Sequence, residues 1–375
     1  MNKKLFLSFL CLFYSLTTFC QQADYAPFTL EGTIKLKTGD VKLEIIGDTS
    51  YYPPALRNLT APIYSGNFHF KGKLPNPMGY MLHQSTLYYS KMIIVQAGEQ
   101  TVICNINAES EIPIMDNEEM KAYTYMNKAY AKIRLEAKED SLLQAQLMEK
   151  NPYGLPDSTR IKFRENNIRR YDDGDKAFLQ FIKNYPSSYL GFWHLVHLNM
   201  FGYYKIFDEM FANFSVEIKN SYSGKILASN LKKAGLLAVG VKFPQLRLLD
   251  LNEHKSATLL SGKNKYTLVN FWNSRGTQST RDFPALTQVY NKYKALGFEI
   301  LNIATSNFDE EAEMHEAIKT TGIKWPQYWD KNGAGAKSLL VYLFPMSYLL
   351  DNQGMIIKRN VRSQELADFL KNNLQ

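Results

Sequence analysis

The sequence predicts a multidomain protein: an N-terminal antiparallel β-sandwich over residues 25–115, a helical middle segment over 116–235 and a C-terminal α/β domain over 236–375. Two changes of hydrophobic pattern carry this reading. Up to about Met115 apolar residues alternate with polar ones; from Asp116 to Gly235 the apolar period lengthens to near 3.6; beyond Gly240 short apolar runs alternate with amphipathic stretches. At ~100 to 200 residues per domain, the chain has room for two or three cores.

Residues 1–20 follow the plan of a secretory signal, with Lys3 and Lys4 ahead of an apolar run from Leu5 to Leu16 and a more polar end. The run is shorter than the ~20 apolar residues of a membrane span. It reads as a removable segment that sends the protein to the periplasm or cell envelope. Thr18 and Cys20 fit cleavage after Cys20. In the other reading Cys20 is acylated and becomes the first residue of a lipid-anchored mature chain, the one tie to a membrane; bulky Phe19 counts against it.

Cys11 and Cys20 lie in this region, so Cys104 is the one thiol of the folded part and no intramolecular disulfide is expected even in an oxidising compartment. Cys104 sits in an alternating strand and reads as a core residue. The formal charge of +8 is scattered and partly in the signal, so an exported chain of this kind points to no nucleic-acid partner. A composition 45% hydrophobic and 13% aromatic, with no low-complexity tract or solenoid repeat, is that of an ordinary globular protein.

In the first domain Ile34 and Leu36 alternate with Thr33, Lys35 and Lys37, Val41, Leu43 and Ile45 alternate with polar neighbours, and Phe68 and Phe70 follow a Ser65-Gly66-Asn67 turn. Further turns at Gly39-Asp40, Pro53-Pro54, Pro75-Asn76-Pro77 and Ala97-Gly98 have the spacing of all-β domains. In the helical segment Tyr123, Met126, Tyr130 and Ile133 share one face of a helix, Pro152 and Pro156 break it, and Ser187 is a candidate cap for the next. His194 and His197, at i and i+3, could suggest a metal. Their apolar neighbours and the lack of a carboxylate at matching spacing favour aromatic packing, and no metal or cofactor is expected.

The third domain reads as strand Tyr266 to Trp272, helix Asp282 to Ala295, strand Phe298 to Ala304, helix Asp309 to Thr321, a hairpin over Ser347 to Lys358, and a last helix capped by Ser363. This βαβα then ββα order is the thioredoxin topology.

Sequence motifs support a family resemblance. Gly32-Thr33-Ile34, Gly66-Asn67-Phe68-His69-Phe70-Lys71-Gly72 and Ala97-Gly98-Glu99 resemble the small β-domain of unassigned activity that often precedes thioredoxin domains in Gram-negative envelope proteins. Thr267-Leu268-Val269-Asn270-Phe271-Trp272-Asn273-Ser274-Arg275 is similar to the strand entering the active site in the TlpA/ResA-like branch of the thioredoxin family. Val239-Gly240, Phe243-Pro244, Pro284, Ile323-Lys324-Trp325-Pro326 with Asp330, and Phe344-Pro345 extend the likeness over the last third of the chain.

That family follows the aromatic strand end with Trp-Cys-x-x-Cys-Arg. Aligning Phe271-Trp272 puts Arg275 at the tryptophan, Gly276 and Ser279 at the two cysteines, and Thr277 and Gln278 between them. The first cysteine would attack a substrate disulfide as a thiolate and the second would resolve the mixed disulfide. Neither step is open to glycine and serine. The hydroxyls of Ser274, Thr277, Ser279 and Thr280 read as helix caps, with no histidine or carboxylate nearby in sequence to activate them. Arg275 could instead hold an anion or a carboxylate.

The resemblance also implies a cis proline at Pro345 and, around it, a peptide groove with Trp272, Arg275 and Phe344; the plainer reading is that Pro345 only keeps the fold. The expectation is a redox-inactive envelope protein with a protein- or peptide-binding or structural role. The alternative is a thiol-disulfide oxidoreductase or peroxidase of that family.

Overall fold

Alternating burial along the first strands builds the first sheet: in β1 (Ala26–Ile34), Phe28, Leu30 and Ile34 point into the core. The computed structural model describes residues 25–84, 88–104, 114–151, 154–251, 256–257, 264–307 and 310–374. The expected signal and Cys20 lie outside the described residues. With β2 (Thr38–Ile45), β3 (Leu59–Tyr64), β4 (Asn67–Leu74), β5 (Met78–Gln84), β6 (Tyr88–Val95), β7 (Gly98–Cys104) and β8 (Ile114–Met115), the strands join in the order β6-β5-β2-β3-β4-β1-β7-β8.

This is one curled sheet, and a sandwich of two separate sheets is not confirmed. The two halves are continuous through the β3-β4 hairpin, where the paired position is Tyr64 with Asn67 across a turn whose Ser65 and Gly66 both have positive φ. So short a link lets the sheet bend, and Leu30 and Phe68 from one half meet Val41 and Ile63 from the other in a common core. Alternation in sequence marks the buried face of each strand but not whether two half-sheets share an edge. Gly32 lies beneath the Phe68 ring, where a β-carbon would come within 2.0 Å of a ring carbon. Cys104 is buried in this core and forms no disulfide.

The helical segment comprises α1 (Glu118–Ala129), α2 (Ala131–Lys150), α3 (Asp157–Asn184), α4 (Tyr189–Asn199), α5 (Ile206–Ala212), α6 (Val216–Asn220) and α7 (Tyr222–Ala234). The face expected from Tyr123 to Ile133 belongs to two helices that meet at Tyr130; Pro156 directly precedes α3, and Pro152 lies outside the described residues. Ser188, one residue beyond the expected Ser187, caps α4 by accepting from the Gly191 N–H. The carboxylate of Glu119 fixes that choice. It accepts from the Ser188 hydroxyl and from the N–H groups of Tyr189 and Leu190 at 2.9–3.0 Å.

These helices share their core with the first sheet. The Trp193 ring lies over the bare backbone of Gly79, where a β-carbon would be 2.5 Å from the ring, packs against Tyr52 with centroids 5.1 Å apart, and donates from Nε1 to the Pro77 carbonyl at 3.0 Å. His194 meets Phe178 edge-on at 4.7 Å and His197 meets Phe201 at 5.3 Å, so both histidines pack on aromatic rings.

The second sheet has the order β10-β9-β13-β12-β11-β14-β15. Its strands are β9 (Leu248–Asp250), β10 (Ser256–Ala257), β11 (Tyr266–Trp272), β12 (Phe298–Ser306), β13 (Gln327–Lys331), β14 (Met346–Asp351) and β15 (Ile356–Arg359). β11, β12 and β13 run parallel, and β14 and β15 add antiparallel. Helices α8 (Thr277–Arg281), α9 (Phe283–Tyr293), α10 (Glu311–Thr321), α11 (Ala334–Ser338) and α12 (Ser363–Asn373) complete it. Phe283, Leu286, Met314, Leu366 and Leu370 pack on one face of the sheet, while Leu237, Phe243, Ala336 and Leu339 belong to the core on the other. Ser363 is the first residue of α12 rather than its cap, which is Arg362.

Arg359 joins the two parts of the molecule. Its guanidinium donates to the Tyr203 carbonyl and lies over the rings of Tyr204 and Tyr348, at 5.7 and 5.8 Å from their centroids.

Two outcomes follow from the shared core. Trp193→Ala removes a buried aromatic ring and lowers stability to urea by roughly 3–5 kcal/mol, read by circular dichroism. Burial, helped by His197, pushes the His194 imidazole down from 6.5 to about 4. The unfolded chain therefore binds the extra proton first, so stability from neutral His194 is complete above pH 6.5 and is lost as pH falls towards 4. His194→Phe flattens that part of the stability profile.

Candidate functional site

The site forms where β11 ends. Its apolar residues are buried on both faces of the sheet, so the strand delivers the following turn from a fixed frame. Asn273 organises the turn: its N–H donates to Ser279 Oγ at 3.2 Å, its Oδ1 accepts from the Arg275 N–H at 2.9 Å, and its Nδ2 donates to the Thr305 carbonyl at the end of β12 at 2.7 Å. The Gly276 carbonyl accepts from the Ser279 N–H at 2.8 Å as α8 begins.

Of the hydroxyls expected to cap α8, that of Ser279 instead accepts from the Asn273 N–H. The helix starts from Gly276 with no side-chain cap. Ser279 is buried and closes the turn through Asn273, while the buried Ser274 hydroxyl has no hydrogen-bond partner among the described residues. Thr277 and Gln278 lie in the first turn of α8.

A cavity of about 170 Å³ opens beside the turn, lined by Ser279, Asp282, Asn270, Pro345, Ser347 and Asn360 among others. No residue of the 116–235 segment lines it. The Phe344-Pro345 peptide is cis, as the resemblance implies. Asp330, another motif residue, accepts from the N–H groups of Gly335 and Ala336, each at 2.7 Å, and so anchors α11 ahead of the Pro345 loop. Burial raises its carboxyl pKa against these bonds.

Of the residues expected around a groove, Pro345 lines the cavity and the others stand elsewhere. Trp272 is fully buried and packs on Phe283 at 5.4 Å, because the last residue of a strand covered on both faces has no open side to turn to. Phe344 packs against the core on the other face of the sheet. Arg275 is paired with Glu310 at 2.9 Å and Glu313 at 2.8 Å, at the start of α10, so the carboxylates it holds belong to its own chain.

Sequence reasoning passed over Asp282 and Glu310. Asp282 follows Ser279 by three residues, a helical spacing visible in the sequence. Glu310 is brought to Arg275 only by the fold. Ser279 Oγ accepts a backbone N–H, a role that holds the turn and does not activate a nucleophile.

The Arg275 guanidinium, through its hydrogen bonds, holds the Glu313 carboxyl below its ordinary range. Arg275→Ala raises that value in a carboxyl NMR titration. The pair's stabilisation is complete above pH 4.5 and disappears as pH falls through the lowered value. Sulfate titrations of the parent and of Arg275→Ala coincide, because this guanidinium is already engaged by carboxylates.

Comparison with known proteins places this geometry. The model of the AhpC/TSA family matches residues 239–359. The thiol-disulfide oxidoreductase ResA of Bacillus thuringiensis subsp. konkukian (strain 97-27) is 29% identical over 138 residues, covering 36% of this chain and 78% of that protein. ResA of Bacillus subtilis (strain 168) is 25% identical over 122 residues, covering 32% and 66%. The solved thioredoxin domain of a thiol-disulfide oxidoreductase from Bacteroides vulgatus matches 37% of this chain and 99% of its own, with 26% identity and a TM-score of 0.34. The C-terminal region of this chain is an AhpC/TSA thioredoxin-like domain homologous to the ResA thiol-disulfide oxidoreductases.

Proposed function

We propose that the protein is an exported cell-envelope component whose thioredoxin-like domain, within residues 236–375, binds an extended segment of a partner protein beside Pro345 without thiol chemistry. The observation that carries this is the cavity bounded by Pro345, Ser279 and Asn360, at a site where glycine and serine stand in place of sulfur. Strand-like recognition of this kind draws affinity from main-chain hydrogen bonds and specificity from side-chain pockets. The small cavity, whose lining mixes Leu268, Leu286 and Val361 with Asn270, Ser279 and Asp282, suits one modest side chain of the bound segment. Removal of residues 1–20 gives the mature form, with acylation of Cys20 as the alternative that would anchor it; among the described residues no helix is long and apolar enough to cross a membrane.

The homology to ResA proteins favours a second reading, a thiol-disulfide oxidoreductase. That reading needs a thiolate, and Cys104, the one cysteine among the described residues, is buried in the first sheet. The backbone of Gly276, with φ −83, accepts a side chain, and a β-carbon there would lie 3.1 Å from Ser279 Oγ. A cysteine pair can therefore be restored with only a small adjustment.

Insulin-disulfide reduction separates the readings. The protein from residue 21 onward is expected to leave insulin at the uncatalysed rate, and Gly276→Cys/Ser279→Cys to reduce it. Catalysis by the parent establishes the oxidoreductase reading instead. Silence of both proteins counts against an intact groove.

A further inference from the structure

The cavity at Pro345 has a neighbour that the thioredoxin-like domain does not build alone. A second cavity, about 650 Å³, is lined by Tyr203, Tyr204 and Lys205 from the helical segment and by Ala238, Val239, Arg359 and Asn360. Asn360 lines both cavities. Its N–H donates to the Ser347 carbonyl at 2.8 Å, two residues beyond Pro345, so a segment lying along Pro345 needs only to pass Asn360 to reach the second cavity.

The lining of that cavity is apolar and aromatic with a positive edge. Tyr204 is 53% and Val239 59% exposed. Lys205 and Arg359 are its charged residues, and no carboxylate belongs to the lining. Among the described residues no carboxylate pairs with either cation; the nearby Asp208 accepts from the Tyr203 hydroxyl. Arg359 is held in place by the Tyr203 carbonyl and its flanking rings, and its buried Nε has no hydrogen-bond partner among the described residues. A fixed guanidinium beside tyrosine rings is the kind of surface that anchors an interface. Its uncompensated charge favours a negative partner.

We infer that the bound segment is an acidic peptide with a large aromatic or aliphatic side chain, which seats between Tyr204 and Val239 while its carboxylates face Lys205 and Arg359. This rests on the peptide-binding reading above and adds the chemistry of the partner. The helical segment then acts as a specificity element, supplying half of a subsite next to the Pro345 groove.

The test uses fluorescein-labelled decapeptides with a central Asp-Phe-Asp, Lys-Phe-Lys or Ala-Ala-Ala, and anisotropy of their binding to the protein from residue 21 onward. The Asp-Phe-Asp peptide should bind about tenfold more tightly than the Ala-Ala-Ala peptide, with the advantage reduced by salt and absent for Lys-Phe-Lys. Lys205→Glu and Val239→Glu, both at exposed positions, should abolish the preference. Equal binding of all three peptides to the parent overturns this inference and leaves the groove reading standing. A preference that survives both substitutions also overturns it. Failure of every peptide to bind removes the groove reading, and this inference with it.

Discussion

The insertion of Trp193 against the bare backbone of Gly79 is the contact on which the arrangement of the molecule depends. It fixes α4 on the first sheet through a ring that also packs on Tyr52 and donates to Pro77. From the end of α4 the chain passes directly to Tyr203, whose carbonyl receives Arg359 from the edge strand of the second sheet. The helical segment is thus less a domain of its own than a bracket, one side built into the first core and the other meeting the thioredoxin-like domain next to the Pro345 cavity. A glycine in a strand ordinarily weakens it; here the missing side chain makes room for the largest residue of the shared core.

At the end of β11, hydrogen bonds and ion pairs hold the turn in shape. Asn273 ties the end of β11 to β12, Ser279 returns a bond to Asn273, and Arg275 closes the outer side by pairing with Glu310 and Glu313. Each of these contacts binds the chain to itself. What they leave open is the space beside Pro345 and Asn360, where Leu268, Leu286 and Val361 face a cavity together with small polar side chains. Ser279 Oγ accepts the Asn273 N–H there and so holds the turn.

Much of this was legible in the sequence, and the limits are physical. The strand Tyr266–Trp272 coincides with the expected β-rich run to the residue, because a strand covered on both faces is apolar at most positions, with Thr267 and Asn270 as its buried polar exceptions. The same property hid the burial of Trp272, since an aromatic at a strand end reads alike whether it lines a groove or a core. Ser187 and Ser188 are equivalent as caps in sequence, and the choice was made by Glu119, some seventy residues away. The engagement of Arg275 likewise depends on carboxylates across a strand and a loop. The curled first sheet needed knowledge of which half-sheets share an edge, and local alternation carries none.

The central claim is that a peptide lies along Pro345 and past Asn360, and amide hydrogen exchange with and without the Asp-Phe-Asp decapeptide tests it most directly. The account predicts slower exchange in segments 344–348 and 358–363, with added protection of the loop around Tyr204. Unchanged exchange in these segments under conditions where the peptide is bound would contradict it.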